Sequence, residues 1–174
     1  THNYMLFFTD KGKCYWLKVY DIPQGGRAAR GRAIVNLIGC EPNERVEAFV
    51  SVKEFDDQHY IVMATEKGIV KKTVLSAYGK PRKGGIYAIE IRDGDKLIEA
   101  RVSNGEHDIL LGTYEGKSIR FSEKDIRPSG RKTMGVKGIK LGSAKDRLVG
   151  MLIVKREGTI LVATEKGMGK RTDI

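Results

Sequence analysis

One pattern constrains this chain more than any other: an apolar run, a turn glycine and a basic glycine-rich loop come round about every 51 residues. The apolar runs are YMLFFTDKGK from Tyr4, YIVMATEKGI from Tyr60, DILLGTYEGK from Asp108 and TILVATEKGM from Thr159, with turn glycines Gly12, Gly68, Gly116 and Gly167. The basic loops share the form Gly-[Arg/Lys]-x-x-x-Gly, as GRAARG (Gly26–Gly31), GKPRKG (Gly79–Gly84) and GRKTMG (Gly130–Gly135). An acidic–basic–apolar triplet follows each loop: Glu44-Arg45-Val46, Asp95-Lys96-Leu97 and Asp146-Arg147-Leu148. Three independent markers in the same order divide residues 1–174 into about three and a third units.

Each unit is predicted to be β. The apolar runs are too short for a typical helix and favour Val, Ile, Leu, Tyr and Phe. The glycine of DKG or EKG stands where a hairpin needs a positive φ. IVKKTVL and SIRFS read as return strands. AIVNLI, IYAIEI and GIKL read as strands after the basic loops, and RVEAFVSV, KLIEARVS and RLVGMLIV as the strands that close each unit. VSVKEFDD and FSEKDI support single turns at most. Four short strands at this period predict propeller blades, and closed propellers typically have four to eight of them. The expectation is therefore an all-β, propeller-like arc of four-stranded blades, an incomplete ring whose cut ends expose strand edges.

Charge narrows the function. The chain has 174 residues and a net charge of +10, a balance that suits a polyanionic partner. No apolar run is long enough for a transmembrane helix. The start THNYMLFF has neither an initiator Met nor a basic leader; it enters directly on a strand, as a piece of a longer chain would. Cys14 and Cys40 have no C-x-x-C spacing, so they support no zinc site and fit small apolar packing residues in a reducing cytosol.

The basic loops are the leading functional candidates. They carry Arg27, Arg30 and Arg32; Lys80, Arg82 and Lys83; and Arg131, Lys132 and Lys137. Glycines let a backbone approach a phosphate closely and free its N–H groups to donate. Arginine clamps phosphate with two hydrogen bonds, and lysine acts as a point charge. One such loop alone would be an ordinary solvated turn; three in register predict a cationic stripe. The return strands add Lys71, Lys72, Arg120, Lys170 and Arg171. Trp16 occupies the position of Lys72 in the first unit and reads as packing against the neighbouring blade.

Other chemistry finds no support. GKPRKGGI lacks the Lys-Ser or Lys-Thr of a P-loop, and GMGKRT lacks the third glycine and the helix of a dinucleotide site. His2, His59 and His107 form no metal set, and Asp56, Asp57, Asp93 and Asp95 sit in polar turns. No nucleophile has a partner for acyl transfer, so no catalytic or metal-binding residue is assigned.

The strings ARGRAIVNLI, IVMATEKGIVKKTVL, DGDKLIEARVSNGE, GVKGIKLG and LVATEKGMGKRT resemble the C-terminal domain of the bacterial DNA gyrase A protein, over essentially the whole chain. The matching domain of the topoisomerase IV A protein is a close relative. The resemblance implies a β-pinwheel, a propeller-like ring in which neighbouring blades share strands and whose basic rim wraps duplex DNA. It implies as partners the rest of the gyrase A protein and the gyrase B protein, with ATP and magnesium used on other domains and no cofactor here. The location it implies is cytoplasmic, at the nucleoid. The family's active-site tyrosine belongs to the N-terminal part of gyrase A, so no tyrosine here inherits it. The family's hallmark box, roughly QRRGGKG, is missing. QGGRAARG from Gln24 is a partial echo one blade later, which puts the expected box upstream of Thr1.

The function this implies is non-sequence-specific binding and wrapping of DNA in support of ATP-dependent negative supercoiling. The alternatives are a topoisomerase IV domain that binds DNA for decatenation, or a propeller acting as a protein-interaction platform. A platform calls for an exposed apolar or aromatic patch. An RNA-binding β domain calls for aromatics beside the basic loops, and those loops contain none.

Overall fold

The computed structural model of the chain describes residues 2–155 and 157–174. Its strands are β1 (Tyr4–Thr9), β2 (Lys13–Lys18), β3 (Val46–Val52), β4 (Tyr60–Thr65), β5 (Ile69–Val74), β6 (Ile86–Tyr87), β7 (Leu97–Ser103), β8 (Asp108–Thr113), β9 (Ser118–Ser122), β10 (Val136–Lys137), β11 (Leu148–Val154), β12 (Thr159–Ala163) and β13 (Gly169–Asp173). They form antiparallel sheets in the orders β3-β1-β2-β6, β10-β5-β4-β7, β11-β8-β9 and β12-β13.

The hairpins β1–β2, β4–β5, β8–β9 and β12–β13 are built the same way. The turn glycine donates its N–H to a threonine carbonyl three residues back: Gly12 to Thr9 at 2.9 Å, Gly68 to Thr65 at 3.0 Å, Gly116 to Thr113 at 3.1 Å and Gly167 to Thr164 at 2.9 Å. Each of these glycines has a positive φ, between 76° and 84°, a region in which a Cβ is strained. The hydroxyl of the same threonine accepts the N–H of the residue after the glycine, at 3.3 Å for Thr9 and Thr65 and 3.2 Å for Thr113 and Thr164. Opposite Thr9 and Thr65 the register slips, where Val46 and Leu97 enter their strands, and a third slip lies beside Leu148 on β11. These irregularities add local twist.

Neighbouring sheets share strands. β6 follows β5 in sequence, yet pairs back onto β2 with Cys14 opposite Ile86 and Lys13 opposite Tyr87. β10 repeats this step onto β5, with Val70 opposite Val136 and Ile69 opposite Lys137. The carbonyls of the first two turn glycines receive the strands that arrive: Gly12 accepts Ala88 at 2.8 Å and Ile89 at 3.2 Å, and Gly68 accepts Gly138 at 2.8 Å and Ile139 at 3.4 Å. At the other end of each sheet, β3 packs against β7 and β7 against β11. These strands are therefore innermost, and β6 and β10 lie at the outer ends.

The apolar core is laminated between sheets. Leu6, Phe8, Ile61, Met63, Tyr78 and Ile89 fill the space between the first two, and Val62, Val70, Ile109, Leu111, Leu148 and Met151 the space between the second and third. Cys14 is buried in the first layer, and that burial pushes its thiol well above the ordinary range.

Two sequence expectations are corrected. AIVNLI, read as a strand, is a short helix, α1 (Ile34–Ile38), closed by Gly39 at φ 66°. Its counterparts in the next two units pair as β6 and β10 with the edges of β2 and β5, whereas this segment is helical and lays Ile38 on Phe7 and Tyr15. GIKL is likewise displaced: the third unit's returning strand is Val136–Lys137, just before it. VYD, LSAY and EKD form single 3-10 turns after β2, β5 and β9.

Candidate nucleic-acid interface

The strand exchange fixes where the basic loops lie. The second loop leads directly into β6 and the third into β10, so both are delivered to the outer ends of successive sheets. The first loop leads into α1. Arg27, Arg30, Arg32, Lys80, Arg82, Lys83, Lys132 and Lys137 are exposed, and Arg131 is half-buried. Lys170 and Arg171 are exposed on β13, opposite Val162 and Leu161. Arg120 is exposed but holds Asp108 through a 2.7 Å contact from Nε, which offsets its charge.

Lys71 and Lys72 depart from the sequence expectation of surface contacts. Their accessibilities are 0% and 4%. The reason is non-local: β5 lies inside its sheet and that sheet is covered on both faces, so neither side of the strand reaches solvent. Lys71 Nζ donates to the carbonyl of Ala88 at 2.7 Å and to that of Arg131. Lys72 Nζ donates to the carbonyl of Glu123 at 2.6 Å and stands 5.1 Å from the centre of the Tyr60 ring. Trp16, in the equivalent place of the first unit, donates from Nε1 to the carbonyl of Tyr78 at 2.9 Å. This position thus ties one sheet to the 3-10 turn of the next with either an indole or an ammonium.

Burial lowers the proton affinity of Lys71 to a pKa of about 8; the nearby Arg131 pushes the same way and Glu90 opposes. Between pH 8 and the unfolded value of 10.5 the unfolded chain carries more of this proton than the folded one. Lys71 therefore contributes a stability that rises with pH in that window. The difference in unfolding free energy between the native chain and Lys71→Met is expected to be larger at pH 9.5 than at pH 7.5, by chemical denaturation at both. An equal difference would contradict a depressed Lys71.

One feature carried no usable signal in the sequence. Tyr87 on β6 has the register position that Lys137 has on β10 and is 50% exposed, so the outer end of the first sheet presents a phenol where the next presents an ammonium. Lys132 Nζ lies 5.8 Å from the centre of its ring. The acids of the second and third triplets serve the hairpins: Asp95 accepts the N–H of Lys67 at 2.9 Å, and Asp146 that of Glu115 at 3.0 Å, while Glu44 of the first triplet accepts the Tyr15 hydroxyl at 2.7 Å. Asp56 likewise closes a turn, accepting the N–H groups of Gln58 and His59.

Against known proteins, the family described as "DNA gyrase C-terminal domain, beta-propeller" matches residues 3–53, 59–104, 107–155 and 158–174. The chain belongs to this family. It is 51% identical to the DNA gyrase A protein of Clostridium acetobutylicum over 138 residues, covering 79% of this chain and 17% of that protein. It is 43% identical to that of Escherichia coli K12 over 174 residues, covering 100% of this chain and 20% of that protein. The chain thus spans about a fifth of the length of these relatives. Among solved structures it superposes on the C-terminal domain of DNA topoisomerase IV with a TM-score of 0.88 at 26% identity, covering 98% of this chain and 53% of that one. The DNA gyrase A C-terminal domain gives 0.82 at 26% identity, with 100% and 55% covered. The architecture is accordingly the β-pinwheel, whose shared strands are β6 and β10.

Proposed function

We propose that this chain binds and wraps duplex DNA along its basic outer edge without reading base sequence. It would do so as part of a bacterial gyrase A protein, acting with the remaining domains of that protein and with gyrase B at the nucleoid in the cytoplasm. Wrapping fixes the sign of the crossing offered for strand passage, and so supports negative supercoiling driven by ATP hydrolysed elsewhere in the assembly. One observation carries the reading: strand exchange delivers exposed basic, glycine-rich loops to the outer ends of successive sheets in a chain of net charge +10. Contacts to phosphate position a duplex but carry no sequence information. Bending a 20–30 bp segment by 40–90° costs on the order of 1–6 kcal/mol, which several charge-assisted contacts offset.

The test is a salt titration of binding to a mixed-sequence duplex by fluorescence anisotropy. Each neutralised phosphate contributes a log–log slope of about −0.9, so engagement of six to eight cations gives roughly −5 to −7. Affinity that holds steady between low and moderate salt would overturn the proposal.

A further inference from the structure

We propose that Lys71 is a positioning residue that holds the third basic loop, Ser129–Gly135, as a preformed phosphate anchor, while the first two loops adapt to the duplex. This rests on the DNA-binding reading above and concerns how one part of that surface is built.

The three loops differ in how they are held. Within Gly25–Arg32 the main chain closes on itself through the N–H of Ala29 and the carbonyl of Gly26. Gly79–Gly85 is held through Gly79 to Ser76 and Gly85 to Arg82. Ser129–Gly135 is instead fastened to the rest of the fold. The N–H of Ser129 donates to the carbonyl of Lys72 at 2.9 Å, and the carbonyl of Thr133 accepts the N–H of Glu90 at 3.0 Å. The Thr133 hydroxyl spans the loop to the carbonyl of Gly130 at 2.8 Å and lies 3.0 Å from the hydroxyl of Ser129.

Lys71 completes this bracing from below. Its ammonium joins β5, the carbonyl of Ala88 and the carbonyl of Arg131, the first cation of the loop. A carbonyl held inward by a buried ammonium is removed from the outer surface, where it would repel an anion. The peptide that follows Arg131 is thereby fixed at the point where the chain passes from the half-buried Arg131 to the exposed Lys132. On the neighbouring sheet, Tyr87 lies under Lys132. A loop ordered in advance avoids the entropy loss of ordering on binding. Because the Lys71 side chain is inaccessible, it influences DNA through the loop and not by contact.

Binding of a mixed-sequence duplex at 0.1 M salt, with its salt slope, tests this on the whole chain. Lys71→Met is expected to weaken binding about fivefold to tenfold and to reduce the slope by about 1–2, although no accessible charge is removed. Lys72→Met breaks a similar buried bond on the same strand, directed at Glu123 instead of the loop, and is expected to lose stability with affinity and slope intact. Lys71→Met is also expected to add no further loss to Arg131→Ala/Lys132→Ala. Thr133→Val loosens the same loop without disturbing β5, so it replaces Lys71→Met if that variant does not fold, with a loss of about threefold expected. Equal DNA binding by Lys71→Met and Lys72→Met, or an unchanged slope in Thr133→Val, would overturn the anchor while leaving the DNA-binding reading intact. Absence of binding by the native chain would overturn both.

Discussion

Replacing Arg27, Arg30 and Arg32 together by alanine is expected to weaken duplex binding roughly a hundredfold at 0.1 M salt, with little change in thermal stability. Each phosphate contact contributes about 0.9 to the salt slope, so three contacts lower the slope by about 2.7 and cost on the order of two decades of affinity at that salt. Stability is spared because the loop packs on nothing. All three arginines are exposed, and a Cβ added at Gly26 or Gly31 meets no atom within 4 Å. Exposed substitutions of this kind stay within about 0.5 kcal/mol, which for a domain of this size moves the melting temperature by about 1–2 °C. Salt-dependent anisotropy and a melting curve on the same variant separate the two roles. A large drop in melting temperature with an unchanged slope would mean that GGRAARGR is a structural loop.

The repeat was legible because each hairpin has to solve the same local problem. A positive φ at Gly12, Gly68, Gly116 and Gly167 leaves little choice of residue, so the period survives while the residues around it diverge. Trp16 as an inter-blade packing residue was legible too, and its indole reaches the carbonyl of Tyr78. Features decided by non-local partners were hidden. A short apolar run such as AIVNLI carries no periodicity that separates strand from helix; its conformation goes with non-local packing, here of Ile38 on Phe7 and Tyr15. The Lys71-Lys72 pair reads as surface charge because lysine is rarely buried without a partner. Its partners are carbonyls contributed by Ala88, Arg131 and Glu123, which no local pattern announces. The triplet acids were visible as markers, but the bonds of Asp95 and Asp146 to hairpin N–H groups emerge only when the third strand folds back on the turn.

The substitution expected to disturb the fold most is Gly135→Ala, at the junction of the third basic loop and β10. Gly135 has φ 87°, where an L-residue is disfavoured by roughly 1–2 kcal/mol. The added Cβ would also lie 2.4 Å from the carbonyl oxygen of Val70 and 3.0 Å from Cβ of Lys71. The first of these is backbone within β5 and cannot rotate away, so the chain has to retreat from the edge it pairs with. That retreat strains the Val70–Val136 pairing and the bonds from Gly138 and Ile139 to Gly68. Conformational strain and overpacking together give a loss of about 3 kcal/mol, or roughly 6–12 °C in melting temperature. Gly26→Ala is the matched control, with no positive φ and no neighbour within 4 Å, and is expected to leave the melting temperature unchanged or slightly raised. Because β10 is the strand that the third unit lends to the second sheet, equal melting of the two variants would show that this exchange contributes little to cohesion between the sheets.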